Sequence, residues 1–422
     1  MSYVTHLQCV ECGARYSEKD DVMLCPACVS RGKAGILDIH YDYTAISRVI
    51  SRDSLAKDTR RGIWRYMPFL PVDPDAGATH LRVGDTPMYE STSLARAIGL
   101  ETVYVKDDGL NPTGSLKDRA SAVAVSKALE RGASMIACAS TGNAASSLAG
   151  NAASVGLGTC IFVPERAPQG KVAQLLIYGA TVVVVEGSYK DAFDLSSQAI
   201  EKWGWYNRNA AINPYLVEGK KTVSFEIAEA LNWEVPDWVV VAVGDGCTLA
   251  GVWKGFKDLK AAGLTKGLPK VAGVQAQGCA PIAEAFRQGV FEIKPWREDT
   301  LADSIAVGVP RNPRKALMSL YESGGTVATV SDEEILLAMR LIGQTTGIFA
   351  EPAASASVAG LSKLVSEGVI GPGERVVAIL TGNGLKDIKN GIRAASEPIR
   401  VKPDLWELEE VLREKGFDFE GA

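Results

Sequence analysis

The chain has 422 residues, which is enough for two to three domains of about 150 residues with large buried cores. Its 45 Lys and Arg residues face 50 Asp and Glu residues, and the net charge of −5 offers no attraction for polyanions, so nucleic acid is not expected as a partner. With 46% hydrophobic and 23% charged residues the composition is globular, which excludes a disordered or collagen-like chain. No run of about 18 apolar residues and no secretory leader occurs, so the sequence predicts a cytoplasmic protein without a membrane partner.

The cysteines at the N-terminus form two CxxC pairs. Cys9 and Cys12 are followed by Cys25 and Cys28, which is the ligand count and spacing of a four-cysteine zinc ribbon. Four protein ligands leave no open position on a tetrahedral ion, so the predicted zinc is structural. The alternative is four reduced cysteines without metal. The other four cysteines are scattered along the chain and predict no disulfide framework.

Only three histidines occur, at positions 6, 40 and 80, all in the first fifth of the chain. This distribution argues against a Ser-His-Asp triad and against a histidine-based metallohydrolase.

From about residue 100 onward, short β-branched runs alternate with segments of helical period. The predicted strands are Glu101–Val105, Met135–Ser140, Thr159–Val163, Thr181–Glu186, Trp238–Gly244, Lys270–Gln275, Thr326–Val330 and Arg375–Thr381. The predicted helices are Leu116–Arg131, Ala144–Ser154, Tyr189–Trp203, Lys221–Asn232, Leu249–Ala262, Ser331–Thr346 and Ala353–Glu367. This alternation predicts an α/β fold with parallel sheets, either one wide sheet or two doubly wound subdomains. Ligands in such folds bind at the carboxyl ends of strands, so the loops after these runs are candidate sites.

Two of these loops carry polar groups at a helix start. In the loop from Asn111 to Arg119, Lys117 falls in the first turn of a helix, where the positive helix dipole and burial both favour a neutral, nucleophilic amine. Taken alone, a single lysine in such a loop is more often a surface residue than a nucleophile. The loop from Ser140 to Ala144 offers hydroxyls, backbone N–H groups and one amide, which suits a carboxylate, although an ordinary helix cap has the same composition.

Two further loops are rich in glycine. The segment from Val243 to Thr248 places Gly-rich backbone at a helix start, which is typical of a phosphate cradle. It does not match GxGxxG, and no GxxxxGK[ST] occurs, so dinucleotide and P-loop sites are disfavoured. The segment from Leu380 to Gly384 ends the last strand and could direct the Thr381 hydroxyl at a heterocyclic nitrogen, or form a simple turn.

Together and in this order, the four loops resemble those of the fold-type II pyridoxal-phosphate enzymes, and they are most similar to the threonine synthases. The resemblance extends over most of the chain, from the four-cysteine ribbon through Gly84-Asp-Thr-Pro87 to Leu380–Asp387. It implies two doubly wound α/β subdomains with an N-terminal zinc ribbon, and a homodimer. The implied division is a ribbon at 1–40, a large cofactor-binding domain at 41–120 and 220–400, a small domain at 121–219 and a tail at 401–422.

The resemblance also implies a role for each matching residue. Lys117 is similar to the Schiff-base lysine that serves as both nucleophile and base. Asn143 resembles the partner of the cofactor's phenolic oxygen, and Thr381 the group facing the pyridine nitrogen, where a neutral hydroxyl favours β and γ chemistry over transamination. The implied phosphate loop of the cofactor comprises Gly244, Asp245, Gly246, Cys247 and Thr248. The implied binding residues for the substrate α-carboxylate are Ser140, Thr141, Gly142 and Ala144.

The activity implied by the resemblance is a step of threonine biosynthesis on a small amino-acid substrate. Pyridoxal 5'-phosphate would be the cofactor and Zn²⁺ a structural ion. Threonine synthases convert O-phosphohomoserine and water to threonine and phosphate by γ-elimination and β-addition, as carbon–oxygen lyases acting on phosphates.

The chain also departs from the pattern of that family. Ala210, Ala211 and Leu216 stand where the family commonly has polar groups and an arginine for the substrate phosphate. The other departures are Leu116, Ala120, Ala144, Asp245 and Asn383. If positions 211 and 216 meet the substrate, Ala211→Ser with Leu216→Arg should tighten a phosphorylated substrate.

Three cations could supply the missing charge, namely Arg119, Lys220 and Lys221. The departures leave open a paralogue acting as an amino-acid ammonia-lyase or a β-replacement synthase. A non-enzymatic zinc-ribbon interaction module is a third reading, which the acidic pI and the intact Lys117 disfavour.

Overall fold

The computed structural model describes residues 2–73, 79–165, 167 and 169–419. The strands are β1 Val4–Cys9, β2 Arg15–Tyr16, β3 Leu37–Tyr41, β4 Met88–Glu90, β5 Val103–Asp107, β6 Met135–Ala139, β7 Gly158–Pro164, β8 Thr181–Val185, β9 Tyr206–Asn207, β10 Trp238–Ala242, β11 Lys270–Ala276, β12 Thr326–Val330 and β13 Val376–Leu380. They form three sheets, ordered β2-β1-β3, β12-β11-β10-β13-β5-β4 and β8-β7-β6-β9.

The α-helices alternate with the strands. They are α1 Pro26–Val29, α2 Tyr43–Val49, α3 Arg52–Lys57, α4 Thr92–Ile98, α5 Lys117–Glu130, α6 Asn143–Ala153, α7 Gln169–Ile177, α8 Tyr189–Trp203, α9 Tyr215–Lys220, α10 Thr222–Ala230, α11 Cys247–Ala261, α12 Pro281–Gln288, α13 Pro313–Glu322, α14 Asp332–Thr346, α15 Pro352–Ser366, α16 Ile388–Ala394 and α17 Leu405–Glu414. Short 3₁₀ segments occur at Glu18–Asp20, Gly62–Phe69, Asp108–Leu110, Asp303–Ile305 and Gly384–Asp387.

The six-stranded sheet is parallel except for the antiparallel edge strand β4. Its central strand β10 is buried on both faces, as its unbroken apolar run predicts. Val239 and Val241 enter one hydrophobic cluster, whereas Val240 and Ala242 enter the cluster on the opposite face. The strand period of two therefore divides one apolar run between two cores.

The four-stranded sheet is parallel throughout and lies between its own hydrophobic clusters. Its strands come from residues 135–207, and those of the six-stranded sheet come from residues 88–107 and 238–380. Helix α5 continues across position 120, where the sequence analysis divides large domain from small. The domain limits themselves stay predictions.

The N-terminal sheet is antiparallel and carries the CxxC pairs. Cys9 ends β1, and Cys25 precedes the short helix α1. The four Sγ atoms of the two pairs lie within 4.8 Å of one another. The predicted α/β architecture with a four-cysteine ribbon is confirmed.

Within the described ranges, none of the helices combines the length and the apolar character that crossing a bilayer requires.

Candidate active site

Lys117 opens α5 beside the end of β13. Ser115 and Gly382 form an antiparallel bridge, and the Leu116 N–H donates to the Thr381 carbonyl at 2.9 Å. These two links join the loop before α5 to the loop after β13. As a result, Lys117 and Thr381 line the same cavity.

The three charged residues at the start of α5 point in three directions, because successive helical residues are rotated by about 100°. Lys117 lines the cavity. Asp118 accepts hydrogen bonds from the Thr113 N–H at 2.8 Å and from Asn151 Nδ2 at 2.9 Å. Arg119 is completely buried on the other side of the helix. The KDR sequence therefore combines one site residue with two structural anchors.

Arg119 forms two ion pairs in the core. Its Nε lies 2.7 Å from Asp108 Oδ2, and its Nη1 lies 2.6 Å from Glu226 Oε1. Lys106 contacts the same glutamate at 2.7 Å. Arg119 is thus fully engaged and does not line the cavity, so it is not the cation that compensates for the family departures.

The amine of Lys117 is tuned toward its neutral form. Burial lowers the pKa of Lys117 to about 8, with the positive charges of Lys220 and Arg208 adding to this effect and Glu351 opposing it. About a tenth of an amine with this pKa is unprotonated at pH 7, far more than for an ordinary lysine with a pKa of about 10.4, so Lys117 can act as a nucleophile and as a base.

The glycine loop before α11 is held against the segment before α13. Gly246 has φ +88°, and a Cβ at this position would lie 2.7 Å from the Asn312 carbonyl oxygen, so the turn requires glycine. Asp245 Oδ1 accepts a hydrogen bond from the Arg311 N–H at 3.1 Å. The Asp245 carboxylate is thus engaged by a backbone N–H, and the first N–H groups of α11 are available to an anion.

The cavity beside Lys117 collects residues from both parallel sheets. Of the sequence-predicted residues it brings together Lys117, Ala144, Gly244, Asp245, Gly246, Cys247, Thr248 and Thr381. Arg208, Ala210, Lys220 and Ser304 also line the cavity. Of these four, the sequence had indicated only Ala210, as a departure from the family pattern, and Lys220, as a candidate cation.

The loop before α6 lies between this cavity and two neighbouring ones. Thr141 and Gly142 line an outer cleft, and Asn143 lines both that cleft and a small cavity that shares lining residues with the cleft and with the inner site. Ser140 lines none of these three cavities, and its Oγ accepts a hydrogen bond from the Gly142 N–H at 3.2 Å. The roles of these residues stay predictions.

Glu351 is a buried carboxylate at this site that the sequence analysis missed. The Nδ2 of Asn143 lies 2.9 and 3.0 Å from its two oxygens. Burial raises the pKa of Glu351, and the hydrogen bond from Asn143 opposes that shift. A Cβ on Gly382 would lie 2.3 Å from Glu351 Oε1, so this close approach depends on the glycine. Binding of a phenolic oxygen by Asn143 would require one amide hydrogen to turn away from Glu351.

The residues that depart from the family pattern do not all meet the cavity. Ala210 lines it, whereas Ala211 and Leu216 do not. Leu216 is 1% exposed and packs in the core cluster with Ala120 and Ala124. The prediction that Leu216→Arg would tighten a phosphorylated substrate assumed that position 216 meets the substrate. That assumption is wrong. An arginine at this position would place its charged head among apolar side chains.

The three cations that the sequence offers as substitutes for the missing charge do not all lie at the cavity. Lys221 is buried away from the cavity, with its Nζ 2.6 Å from Glu218 Oε2 and 2.6 Å from Asp258 Oδ2. Of Arg119, Lys220 and Lys221, only Lys220 lines the cavity.

The zinc-ribbon segment packs against Cys247, which belongs to the glycine loop. Ile36, Ala211, Val217 and Cys247 form one small hydrophobic cluster, against which the ribbon residues Val10 and Leu24 pack. Cys247 is the first residue of α11, so ribbon side chains directly support the start of this helix.

The residues present fit the two groups that the sequence predicts. An N-terminal helix turn, a lysine of lowered pKa and the buried cations Arg208 and Lys220 suit an aldehyde-bearing phosphate ester. Two thiolates on a tetrahedral zinc ion lie about 3.8 Å apart, given Zn–S bonds of about 2.3 Å. The Sγ atoms of Cys9 and Cys28 are 3.7 Å apart, as are those of Cys12 and Cys25.

Comparisons with known proteins agree with this geometry. The family model described as "Pyridoxal-phosphate dependent enzyme" matches residues 80–382. The threonine synthase of Methanocaldococcus jannaschii is 42% identical over 409 residues, which is 96% of this chain and 99% of that protein. The threonine synthase of Synechocystis is 40% identical over 356 residues, covering 83% of this chain and 90% of that protein.

A structural relative shows the same fold. The processed form of threonine deaminase isoform 2 from Solanum lycopersicum matches with a TM-score of 0.63 at 22% identity, covering 74% of this chain and 87% of that one. At this identity the match establishes the fold alone. The sequence relatives establish more, and the chain belongs to the threonine synthase family of pyridoxal-phosphate-dependent enzymes.

Proposed function

We propose that the chain is a threonine synthase that converts O-phosphohomoserine and water to threonine and phosphate. The observation that carries this proposal is the position of Lys117, a half-buried amine with a pKa of about 8, in one cavity with the glycine loop and Thr381. The identity of 42% with a threonine synthase over almost the full chain supports it.

Bound pyridoxal phosphate would supply the electron sink that stabilises negative charge next to the substrate nitrogen. Lys117 would hold the cofactor, release it to the substrate amine and then move protons at Cα and Cβ. The hydroxyl of Thr381 would face the ring nitrogen without charging it. The N-terminus of α6 with Thr141 would orient the substrate carboxylate, since helix N-termini bind anions. Glu351 would hold Asn143 in place.

A second candidate is a β-replacement synthase or an ammonia-lyase acting on a different amino acid. Ala210 favours it, because this cavity residue presents a methyl group where the family commonly offers a polar donor. In both candidates Lys117 would hold the cofactor and remove the Cα proton, but only the threonine synthase reaction also requires proton transfer at Cβ. The candidates differ as well in the leaving group that the cavity accommodates.

The proposal predicts which substrate the purified holoenzyme turns over. With O-phosphohomoserine we expect phosphate and threonine to appear in equal amounts. Parallel reactions measure phosphate from O-phosphoserine and ammonia from serine and from threonine. Phosphate release without threonine, or faster turnover of any of the other three substrates, would reject the proposal in favour of the second candidate.

We also propose that the four-cysteine cluster binds one structural Zn²⁺. The four thiolates would fill all four positions of a tetrahedral ion, so no position would be open for chemistry. Three of the four cysteines, Cys9, Cys25 and Cys28, are also buried. The homodimer expected from the sequence stays a prediction.

Removing the zinc is expected to lower stability without changing the visible spectrum of the cofactor-saturated protein at low temperature. Chelation, or Cys12→Ser with Cys25→Ser, should lower Tm by at least about 5 °C, because metal binding contributes directly to folding. Thermal unfolding and elemental analysis of zinc measure this. Zinc addition should restore the chelated wild type but not the double variant. An unchanged Tm, or loss of the reaction with the cofactor-saturated core intact, would contradict a structural role.

A further inference from the structure

Two buried cations at the active site have no carboxylate partner. Arg208 and Lys220 are 2% and 4% exposed. Six other cationic side chains in the described part of the chain are at most 8% exposed, and each has a carboxylate oxygen within 3 Å; they are Lys106, Arg119, Lys127, Lys221, Lys254 and Lys315. The described residues provide no such oxygen for Arg208 or Lys220.

The hydrogen bonds of this pair are also few. Arg208 donates to Ser121 Oγ from Nε at 3.2 Å and from Nη2 at 3.0 Å. Among the described residues, Lys220 Nζ has no hydrogen-bond acceptor. Leaving a charge buried without a partner is costly, so two such charges at one cavity indicate that an anion completes the site.

Both cations line the cavity that contains Lys117 and the glycine loop. Arg208 follows β9 of the four-stranded sheet, and Lys220 ends α9. Helix α11 packs against α9 at this point, because a Cβ on Gly251 would lie 3.0 Å from Lys220 Cβ. The lining contains one carboxylate, that of Asp245, which a backbone N–H already engages. The cavity is therefore cationic.

The donor types define the class of anion. A planar guanidinium fork, an ammonium point charge and the N–H groups of a helix start are together suited to a phosphate monoester. Ala210, Ala211 and Leu216 provide no such donors, and the two buried cations lie on the segments that flank these three positions.

We propose that Arg208 and Lys220 form a binding site for a phosphate monoester beside Lys117. The inference deepens the proposed function and rests on it for the identity of the substrate. The monoester is the phosphate of pyridoxal phosphate or that of the substrate, and the two sources are separable by binding measurements that need no turnover.

The test uses Arg208→Met and Lys220→Met, with Lys190→Met as a control that removes the same charge from an exposed ion pair with Asp194. The apo protein is titrated with pyridoxal phosphate and with pyridoxal. The dissociation constant for pyridoxal divided by that for pyridoxal phosphate reports the contribution of the cofactor phosphate. The holoprotein is then titrated with inorganic phosphate, which reports a second phosphate site.

We expect one of these two quantities to change by about tenfold or more in both cavity variants and by less than twofold in the control. If the ratio is smaller in the variants than in the wild type, Arg208 and Lys220 bind the cofactor phosphate. If instead the variants bind inorganic phosphate more weakly, the pair binds the substrate phosphate. Changes below twofold in both titrations would overturn the proposal, even if threonine is the product. If the site exists but threonine is not formed, the proposed function fails alone.

The stability of the apo protein gives an independent readout. Because the unpaired charge is lost, the apo Lys220→Met variant should have a Tm equal to or above that of the wild type, and phosphate should raise its Tm less. A merely structural lysine would instead lower the apo Tm when removed. If Arg208→Met does not fold, Arg208→Lys serves in its place, since it keeps the charge but loses the bidentate fork.

Discussion

Lys117→Ala should lose at least about a thousandfold in turnover while the fold and part of the cofactor affinity remain. One amine is expected to hold the cofactor and to move the protons, so its removal eliminates both contributions at once. The glycine loop is a separate contact and should still bind the phosphate group. Turnover, the visible absorbance of bound cofactor and far-UV circular dichroism measure the three effects. Normal turnover in this variant would reject the assignment of Lys117.

The titration of Lys117 gives the same assignment a second test. Because its pKa is lowered to about 8, the neutral amine predominates above that pH. The rate at which the apo protein forms the covalent link to pyridoxal phosphate should therefore rise with pH and level off above about 8. An ordinary lysine would keep gaining reactivity up to about pH 10.4. Borohydride reduction followed by peptide mapping should locate the cofactor on Lys117, and recovery on another lysine would contradict the assignment.

Arg119→Met should destabilise the protein by about 3–5 kcal/mol. The substitution leaves Asp108 and Glu226 buried without their shared guanidinium, and an uncompensated buried charge costs this much. Burial alone would raise the pKa of Glu226, but Arg119 and Lys106 hold it well below its usual range. The free energy of unfolding in urea measures the loss.

Arg413→Met is the matched control, because it breaks an exposed pair with Glu409 on α17. Such a pair contributes about 0.3–0.5 kcal/mol, so the control should unfold near the wild-type midpoint. If Arg119 instead bound a substrate phosphate, its substitution would weaken substrate binding and leave the unfolding midpoint close to that of the control.

The long elements of the fold were predictable because hydrophobic period and turn residues act locally. The eight strands and seven helices predicted after residue 100 are all present, and α8 begins and ends at the predicted residues. In the two larger sheets, two strands were missed, β4 with three residues and β9 with two, since segments this short carry no measurable period. Their pairing is determined by β5 and β6, which lie elsewhere in the sequence.

The site was predictable only where its residues follow long strands. Lys117, the glycine loop and Thr381 belong to such loops and line one cavity. Arg208 was missed because it follows the undetected β9. Glu351 was missed because it precedes a proline at the start of a helix. An acidic residue there usually only stabilises the positive end of the helix dipole, so it does not indicate a binding site. The inward position of Glu351 depends on the bridge between Ala350 and Asn383, a contact distant in sequence.

Through the contact between the ribbon and Cys247, the proposed zinc site would connect metal binding with cofactor retention. Val10 lies between two of the metal-site cysteines and Leu24 precedes a third, and both pack in the cluster that contains the first residue of α11. Oxidation of the thiols would loosen the wall behind the glycine loop, and the chain would then hold its cofactor less tightly at limiting concentration. We therefore expect loss of the proposed zinc, or oxidation of its thiols, to weaken cofactor binding at limiting cofactor concentration, which titration of the chelated protein with pyridoxal phosphate would measure.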